Sequence, residues 1–265
     1  MSSTRTTVRG IRPPAAHLAG GADASSRKLP FARTPQVGRR GSEDSVYDAI
    51  LRAYVMGRLS PGLRLPEGPL ADIFGVSRER VRRVLQRLAH ERWLEIVPNR
   101  GAVVPRPTRE DAQEVTQART IIETGVIKQL LDTPRLIDRQ ALRRHLVAEQ
   151  QALRRGDAVR MTRLTAEFHG LLASFLRNQW IRRQVEELTL RGLVYVSLYG
   201  DAAGPTCCGP REHRQIAQWL LAGDAERAKS AMVEHLEGLL LFLDFRTDRA
   251  LSTPAADIFR AELKL

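Results

Sequence analysis

The chain has 265 residues, 43% of them apolar, enough for one large domain or two modest ones with a real core. No run approaches the ~18 consecutive apolar residues of a membrane helix, so a soluble protein with no membrane partner is expected, and two cysteines make no disulfide framework and fit a reducing cytoplasm. The formal charge of +12 is unevenly placed: residues 1–41 hold eight Lys/Arg against Asp23 alone, residues 42–107 eleven against eight, and the remainder 23 against 21.

Residues 1–41 carry Pro13, Pro14, Pro30, Pro35 and Gly20-Gly21 among scattered apolar residues, and are expected to form a disordered basic arm. The arm is Arg-rich and acid-poor, but its prolines argue against a transit peptide, and it has no secretory apolar core. From Ser42 to about Gly57 a helix presents Val46, Ala49, Ile50 and Ala53 on one face. Leu59–Pro66, punctuated by Pro61, Gly62 and Pro66, reads as a loop that places Arg64 near a DNA backbone.

Leu70, Ile73 and Phe74 then stand at helical spacing; Gly75 ends that helix, and Ser77 is positioned to cap a second one bearing Val81, Val84, Leu85 and Leu88. The opposite face of the second helix carries Arg78, Arg82 and Arg83. An arginine-rich face at a helix N-terminus suits a major groove, where guanidinium groups pair with guanine or hold phosphates. Leu94–Val97 and Ala102–Val104 flank Pro98-Asn99-Arg100-Gly101, a hairpin with a cation at its tip for an adjacent groove. Residues 42–107 are therefore read as a winged helix-turn-helix. A solvated arginine face on a plain helical hairpin is the bland alternative, and the succession of elements argues against it.

This stretch resembles the GntR family of bacterial transcription regulators. The resemblance rests on Val46-Tyr47-Asp48-Ala49-Ile50, Gly57–Leu65, Leu70-Ala71, Gly75-Val76-Ser77-Arg78 and Pro98–Ala102. It implies DNA contacts by Arg64, Arg78 and Arg82 and by the wing tip at Asn99, Arg100 and Gly101; Ser77 and Glu79, at the start of the same helix, are read as DNA-contacting with them. Glu79 and Arg80 stand where Thr and Pro are common in the family. A carboxylate at Glu79 can accept from a cytosine amino group or repel phosphate, which points to an unusual operator.

Pro105 and Pro107 make a stiff linker, and the domain boundary is placed there. Beyond it the period is helical, with helices expected over 109–131, 135–155, 157–176, 179–199, 210–222 and 224–245 and no convincing strand. The fold class is thus mostly α: an N-terminal winged helix and an all-α bundle over 108–246, followed by a tail at 247–265. Such a bundle can enclose a small-molecule cavity between facing helices.

His169, His213 and His235 each share the apolar face of a different helix. One inward histidine is ordinarily a hydrogen-bonded core residue; three on three helices suit a divalent metal such as Zn or Ni. Ala166–His169, Asn178, Glu212–Ile216, Ala222–Ala225 and Met232–Leu236 look like the C-terminal ligand-sensing domain of the FadR subfamily, called FCD. The resemblance implies a metal on these three histidines and an Asp or Asn one turn before the first, and a carboxylate effector. Thr165 occupies that fourth position, so water or effector must fill the remaining positions, or affinity is reduced. Arg119 is a candidate for the effector carboxylate, with an intrahelical pair to Glu123 as the competing reading. Cys207 and Cys208 read as loop residues, with redox sensing or soft ligation as alternatives.

The expected function is a cytoplasmic bacterial repressor: a homodimer on a short palindromic double-stranded operator, modulated by a small carboxylate metabolite bound with a metal. It is not expected to be an enzyme. Two readings from other classes stand beside it. A metal-dependent hydrolase would need an acid or base beside the metal, whereas Glu167 and Glu212, each next to a His in sequence, lie on a different helical face; a non-specific architectural DNA-binding protein fits poorly with a near-neutral C-terminal half.

Overall fold

A computed structural model describes residues 42–200, 209–246 and 253–263. Among the described residues the chain forms ten α-helices and one two-stranded antiparallel sheet. The basic arm, Cys207 and Cys208 lie outside the described residues.

The first unit begins with α1 (Glu43–Val55), whose N-cap Ser42 accepts from the Ser45 amide while Glu43 and Asp44 complement the first turn. Helix α2 (Glu67–Phe74) stops because Gly75 takes φ 64°, a left-handed conformation that costs glycine little. Ser77 then caps α3 (Arg78–His90) by accepting from the Arg80 amide. Val81, Val84, Leu85 and Leu88 are buried and the arginines of the opposite face are exposed. The wing pairs β1 (Glu95–Val97) with β2 (Gly101–Val103), register Val97 to Gly101, around a turn in which Asn99 has φ 60° and Gly101 φ 75°. Residues 62–65 dock on the outer side of β2: Gly62 N donates to Val104 O at 2.8 Å and Leu65 N to Ala102 O at 2.9 Å.

The second unit comprises α4 (Arg109–Asp132), α5 (Arg139–Arg154), α6 (Ala158–Phe175), α7 (Gln179–Tyr199), α8 (Pro210–Ala222) and α9 (Ala225–Leu241). Helix α4 opens with a capping box between Thr108 and Asp111. It lies along α7 and α9, α6 lies between α5 and α7, and α8 packs on α9 and α5.

Four boundaries differ from the sequence expectation for identifiable local reasons. The helix expected over 135–155 is preceded by a separate 3-10 turn at Pro134–Leu136, because Asp138 restarts the chain as an N-cap that accepts from the Ala141 amide. Asp157 and Asp224 cap the helices they were expected to lie within. Helix α9 ends at Leu241, four residues before the expected end, because the following residues turn back onto α7, where Asp244 N donates to Tyr199 O at 2.8 Å.

The expectation of a plain tail after residue 246 also needs correction. Residues Ala255–Leu263 form α10, which packs on α2. Phe259 is fully buried with its ring centroid 5.4 Å from that of Phe74, and Ala255 is buried beside it. Ala255–Leu263 is only nine residues long, too short for periodicity to declare a helix.

The core is divided unevenly. One cluster around Val126, Leu142, Phe168, Leu172, Ile216 and Leu236 belongs to the second unit. The other unites α1, α2, α3 and the wing with Leu190, Leu193, Val194, Tyr195 and Leu198 of α7 and with Phe259 of α10. Helix α7 therefore builds part of the first unit's own interior. Arg191 fastens the joint: its Nη2 donates to Glu91 O at 2.8 Å, its Nη1 to Arg92 O at 3.3 Å, and its guanidinium lies 4.4 Å from the Trp93 ring centroid. Tyr199 Oη donates to Pro107 O at 2.9 Å. Gly57 sits so close to α7 that a Cβ there would stand 2.8 Å from Ser197 O.

Candidate DNA-reading face and metal centre

Arg64, Ser77, Arg78, Glu79, Arg82, Asn99, Arg100 and Gly101 are all exposed, and they come from the loop after α1, from the N-terminal turns of α3 and from the wing tip. Several hold one another in place. Arg64 Nε donates to Arg100 O at 2.8 Å, tying the loop to the wing. Ser77 Oγ accepts from the Arg80 amide, which leaves its O–H as a donor. Arg82 is gripped by Glu67, Arg83 by Glu43, and Glu79 lies 3.7 Å from Arg82 Nη1 and 3.6 Å from Arg83 Nη1. Periodicity could place the arginines on one face, but not the carboxylates of α1 and α2 that flank them.

The three histidines meet in the interior of the second unit. His169 on α6, His213 on α8 and His235 on α9 are buried, with nitrogens within 4.8 Å of one another. Each ring turns Nδ1 outward to a carboxylate: His169 to Glu123 at 2.5 Å, His213 to Glu149 at 2.6 Å and His235 to Glu212 at 2.6 Å. A carboxylate acceptor fixes the Nδ1–H tautomer, so the Nε2 lone pairs face inward. His235 Nε2 lies 3.3 Å from His169 Nε2, and the buried His213 Nε2 has no hydrogen-bond partner among the described residues. The ring of Phe168 stacks on His213 at 3.9 Å.

Protonation is a poor remedy for these converging lone pairs. Burial pushes His169 down to about 3 and His213 down to about 4, with Glu123 and Glu149 only partly opposing it. Burial also works against ionising Glu123, but the Arg119 guanidinium and His169 outweigh it and hold the carboxyl at about 2. Glu149 is likewise held at about 2 against its burial by hydrogen bonds from His145 and His213. Neutral imidazoles at His169 and His213, backed by the ionised Glu123 and Glu149, form with the adjacent His235 a donor set that fits a divalent cation. Thr165 lies buried one turn before His169 on α6, and its hydroxyl is a weaker metal ligand than the Asp or Asn that the family resemblance implies there.

Arg119 is buried on α4 and its Nε donates to Glu123 Oε1 at 2.8 Å, so the intrahelical pair forms. Its Nη2 is buried with no partner among the described residues. Its Nη1 stands 3.1 Å from where a Cβ on Gly192 of α7 would be, next to Arg191 of the interdomain joint. Glu123 thus touches both the histidine cluster and Arg119. Glu149, His145 and the role of Glu123 behind the cluster went unread in the sequence. A signal existed for Glu149: it shares the phase of Leu142 and Ala152, and a carboxylate on a buried stripe needs a partner. Of the acids weighed for a hydrolase, Glu167 pairs with Arg163 at 2.7 Å and Glu212 holds His235.

Residues 42–104 match the model of bacterial regulatory proteins of the gntR family, and residues 114–238 match the FCD domain. The chain is 25% identical over 192 residues to the uncharacterized HTH-type transcriptional regulator YdhC of Bacillus subtilis (strain 168), covering 71% of this chain and 85% of that protein. It is 26% identical over 194 residues to the HTH-type transcriptional repressor RspR of Escherichia coli (strain K12), covering 72% and 84%. Among solved structures, E. coli McbR/YncC superposes with TM-score 0.62 at 22% identity over 74% of this chain and 93% of that one. A putative GntR regulator from Rhodococcus sp. RHA1 gives 0.65 at 24% identity, over 75% and 95%. No described helix is long and apolar enough to cross a membrane. A gntR-type winged helix joined to an FCD domain places this chain in the GntR family of DNA-binding transcription regulators.

Proposed function

We propose that the protein is a cytoplasmic homodimeric repressor whose operator affinity is set by a small carboxylate bound at a cation held by His169, His213 and His235. The observation that carries this reading is the buried convergence of three Nε2 lone pairs, each ring oriented by its own carboxylate. A bound divalent ion would supply a Lewis-acidic point for an effector oxygen. Thr165 in place of an Asp or Asn leaves room in the coordination shell, and Arg119 Nη2 is a second donor for the carboxylate. We assign DNA contact to Arg64, Ser77, Arg78, Glu79, Arg82, Asn99, Arg100 and Gly101.

Two copies are required because the exposed turns of one α3 span only a few base pairs, and a two-fold axis doubles the site. Repression accords with the function named for the E. coli relative RspR. Effector modulation has a physical route. Glu123 links the histidines to Arg119, Arg119 packs at Gly192, and the adjacent Arg191 clasps the turn between α3 and the wing.

The test is selection of fragmented genomic DNA by the purified full chain at near-physiological salt, with zinc content measured on the same preparation. A few fragments sharing an inverted repeat, zinc near one per chain, and loss of that zinc in His213→Ala and His235→Ala are expected. Broad occupancy without a shared motif, or undiminished zinc in the variants, overturns the reading.

A further inference from the structure

We propose that Glu67, on the helix before the recognition helix, is a positioning residue that pre-assembles Arg82 as a reader of one guanine. This deepens the DNA-binding reading and rests on it. Glu67 is the first residue of α2 and Arg82 lies in the second turn of α3. Arg82 Nε donates to Glu67 Oε1 at 2.9 Å and its Nη2 to Oε2 at 2.8 Å, so both carboxylate oxygens hold one edge of the guanidinium.

A guanidinium has five N–H donors, and this grip takes two of them on the Nε–Nη2 side. The outer edge, one N–H of Nη2 and those of Nη1, remains. Two parallel donors at that spacing match guanine O6 and N7 in the major groove. The brace also removes rotamer freedom that an unheld arginine would lose on binding, so the reading head is already aimed in the free protein. Arg83 is held differently, with Nε and Nη2 both directed at the single oxygen Oε1 of Glu43.

Charge supports a base over a phosphate as the target. Glu67 neutralises Arg82, and Glu79 Oε2 stands 3.7 Å from Nη1, beside the free edge. A guanidinium flanked by two carboxylates offers little net attraction to a phosphate but keeps its directional donors. The hydrogen bonds from Arg82 hold the Glu67 carboxyl below its ordinary range, so the brace is ionised at neutral pH. The pair is half exposed, with 51% of the Arg82 and 34% of the Glu67 side chain accessible, and such pairs contribute little to fold stability. Substitution of Glu67 should therefore leave the protein folded.

The experiment selects the preferred duplex of the full-length protein from a random library, then measures affinity for every single-base variant with wild type, Glu67→Gln and Arg82→Lys. Wild type should prefer guanine at one position of each half-site by roughly tenfold or more. In Glu67→Gln that preference should fall to about threefold or less, with preferences at all other positions within about twofold of wild type, and Arg82→Lys should relax the same position. An unchanged specificity matrix in Glu67→Gln overturns the inference, as does an equal loss at every position, which would mark Glu67 as merely structural. A wild-type protein without any sequence preference overturns the DNA-reading assignment as well, and that failure is distinct.

Discussion

Acidification of the chelator-treated protein should weaken the fold in a window set by the buried histidines. In the unfolded chain a histidine titrates near 6.5, whereas in the fold His169 is lowered to about 3 and His213 to about 4 by burial. Their contribution to stability is complete above pH 6.5 and is lost as pH falls from 6.5 toward those lower values, because the unfolded state takes up protons that the fold refuses. Between pH 7 and pH 5 each histidine should remove about 2 kcal/mol, so the pair removes about 4 kcal/mol. Glu123 and Glu149, both held at about 2, add their own loss only below pH 4.5, which separates the two effects. Urea unfolding followed by circular dichroism at pH 7, 6 and 5 in excess chelator measures this directly. His213→Gln cannot titrate and should halve the slope, whatever it costs at pH 7. A fold equally stable at pH 7 and pH 5, or a full slope in the His169→Gln/His213→Gln double variant, would refute the claim that these rings are buried neutral.

Two further outcomes follow from the packing between the units. Phe259→Ala should destabilise the DNA-reading unit by about 3 kcal/mol, because a fully buried ring and its pairing with Phe74 are lost together; a change under about 1 kcal/mol in urea unfolding would mean that α10 is not seated on α2 in solution. Arg191→Met should raise amide exchange across residues 88–97 while leaving exchange in α5 and α8 unchanged, since it removes two hydrogen bonds to that turn and the contact with Trp93; unaltered exchange there would remove Arg191 from the joint.

Local chemistry made the DNA-reading unit legible. Gly75 at a helix end, Ser77 as a cap and the spacing of Val81, Val84, Leu85 and Leu88 are decided within a few residues of chain, and the structure has them as read. The same holds for the inward phase of His169, His213 and His235, whereas for Arg119 the spacing leaves the pair with Glu123 and an effector carboxylate as rival readings, and the pair is present. What escaped depends on distant partners. Glu123 and Glu149 stand 46 and 64 residues from the histidines they orient, and periodicity gives a face without saying what it meets. Glu67 escaped for a similar reason: a carboxylate in a first helical turn is already explained by the helix dipole, which hides its grip on Arg82.

The placement of α7 limits how freely the two halves of this chain can be exchanged. Leu190, Leu193, Val194, Tyr195 and Leu198 complete the interior of the DNA-reading unit, and α10 returns to cover α2. A fragment ending at the proline linker would expose those apolar seats to water and invite self-association. Chimaeras that graft another domain after Pro107 would inherit the same unfilled surface unless the donor supplied a helix shaped like α7, including the close approach at Gly57. Replacement of the FCD domain in this protein therefore calls for a seam drawn through helix faces, with α7 and α10 kept alongside residues 42–107, instead of a cut at one point along the chain.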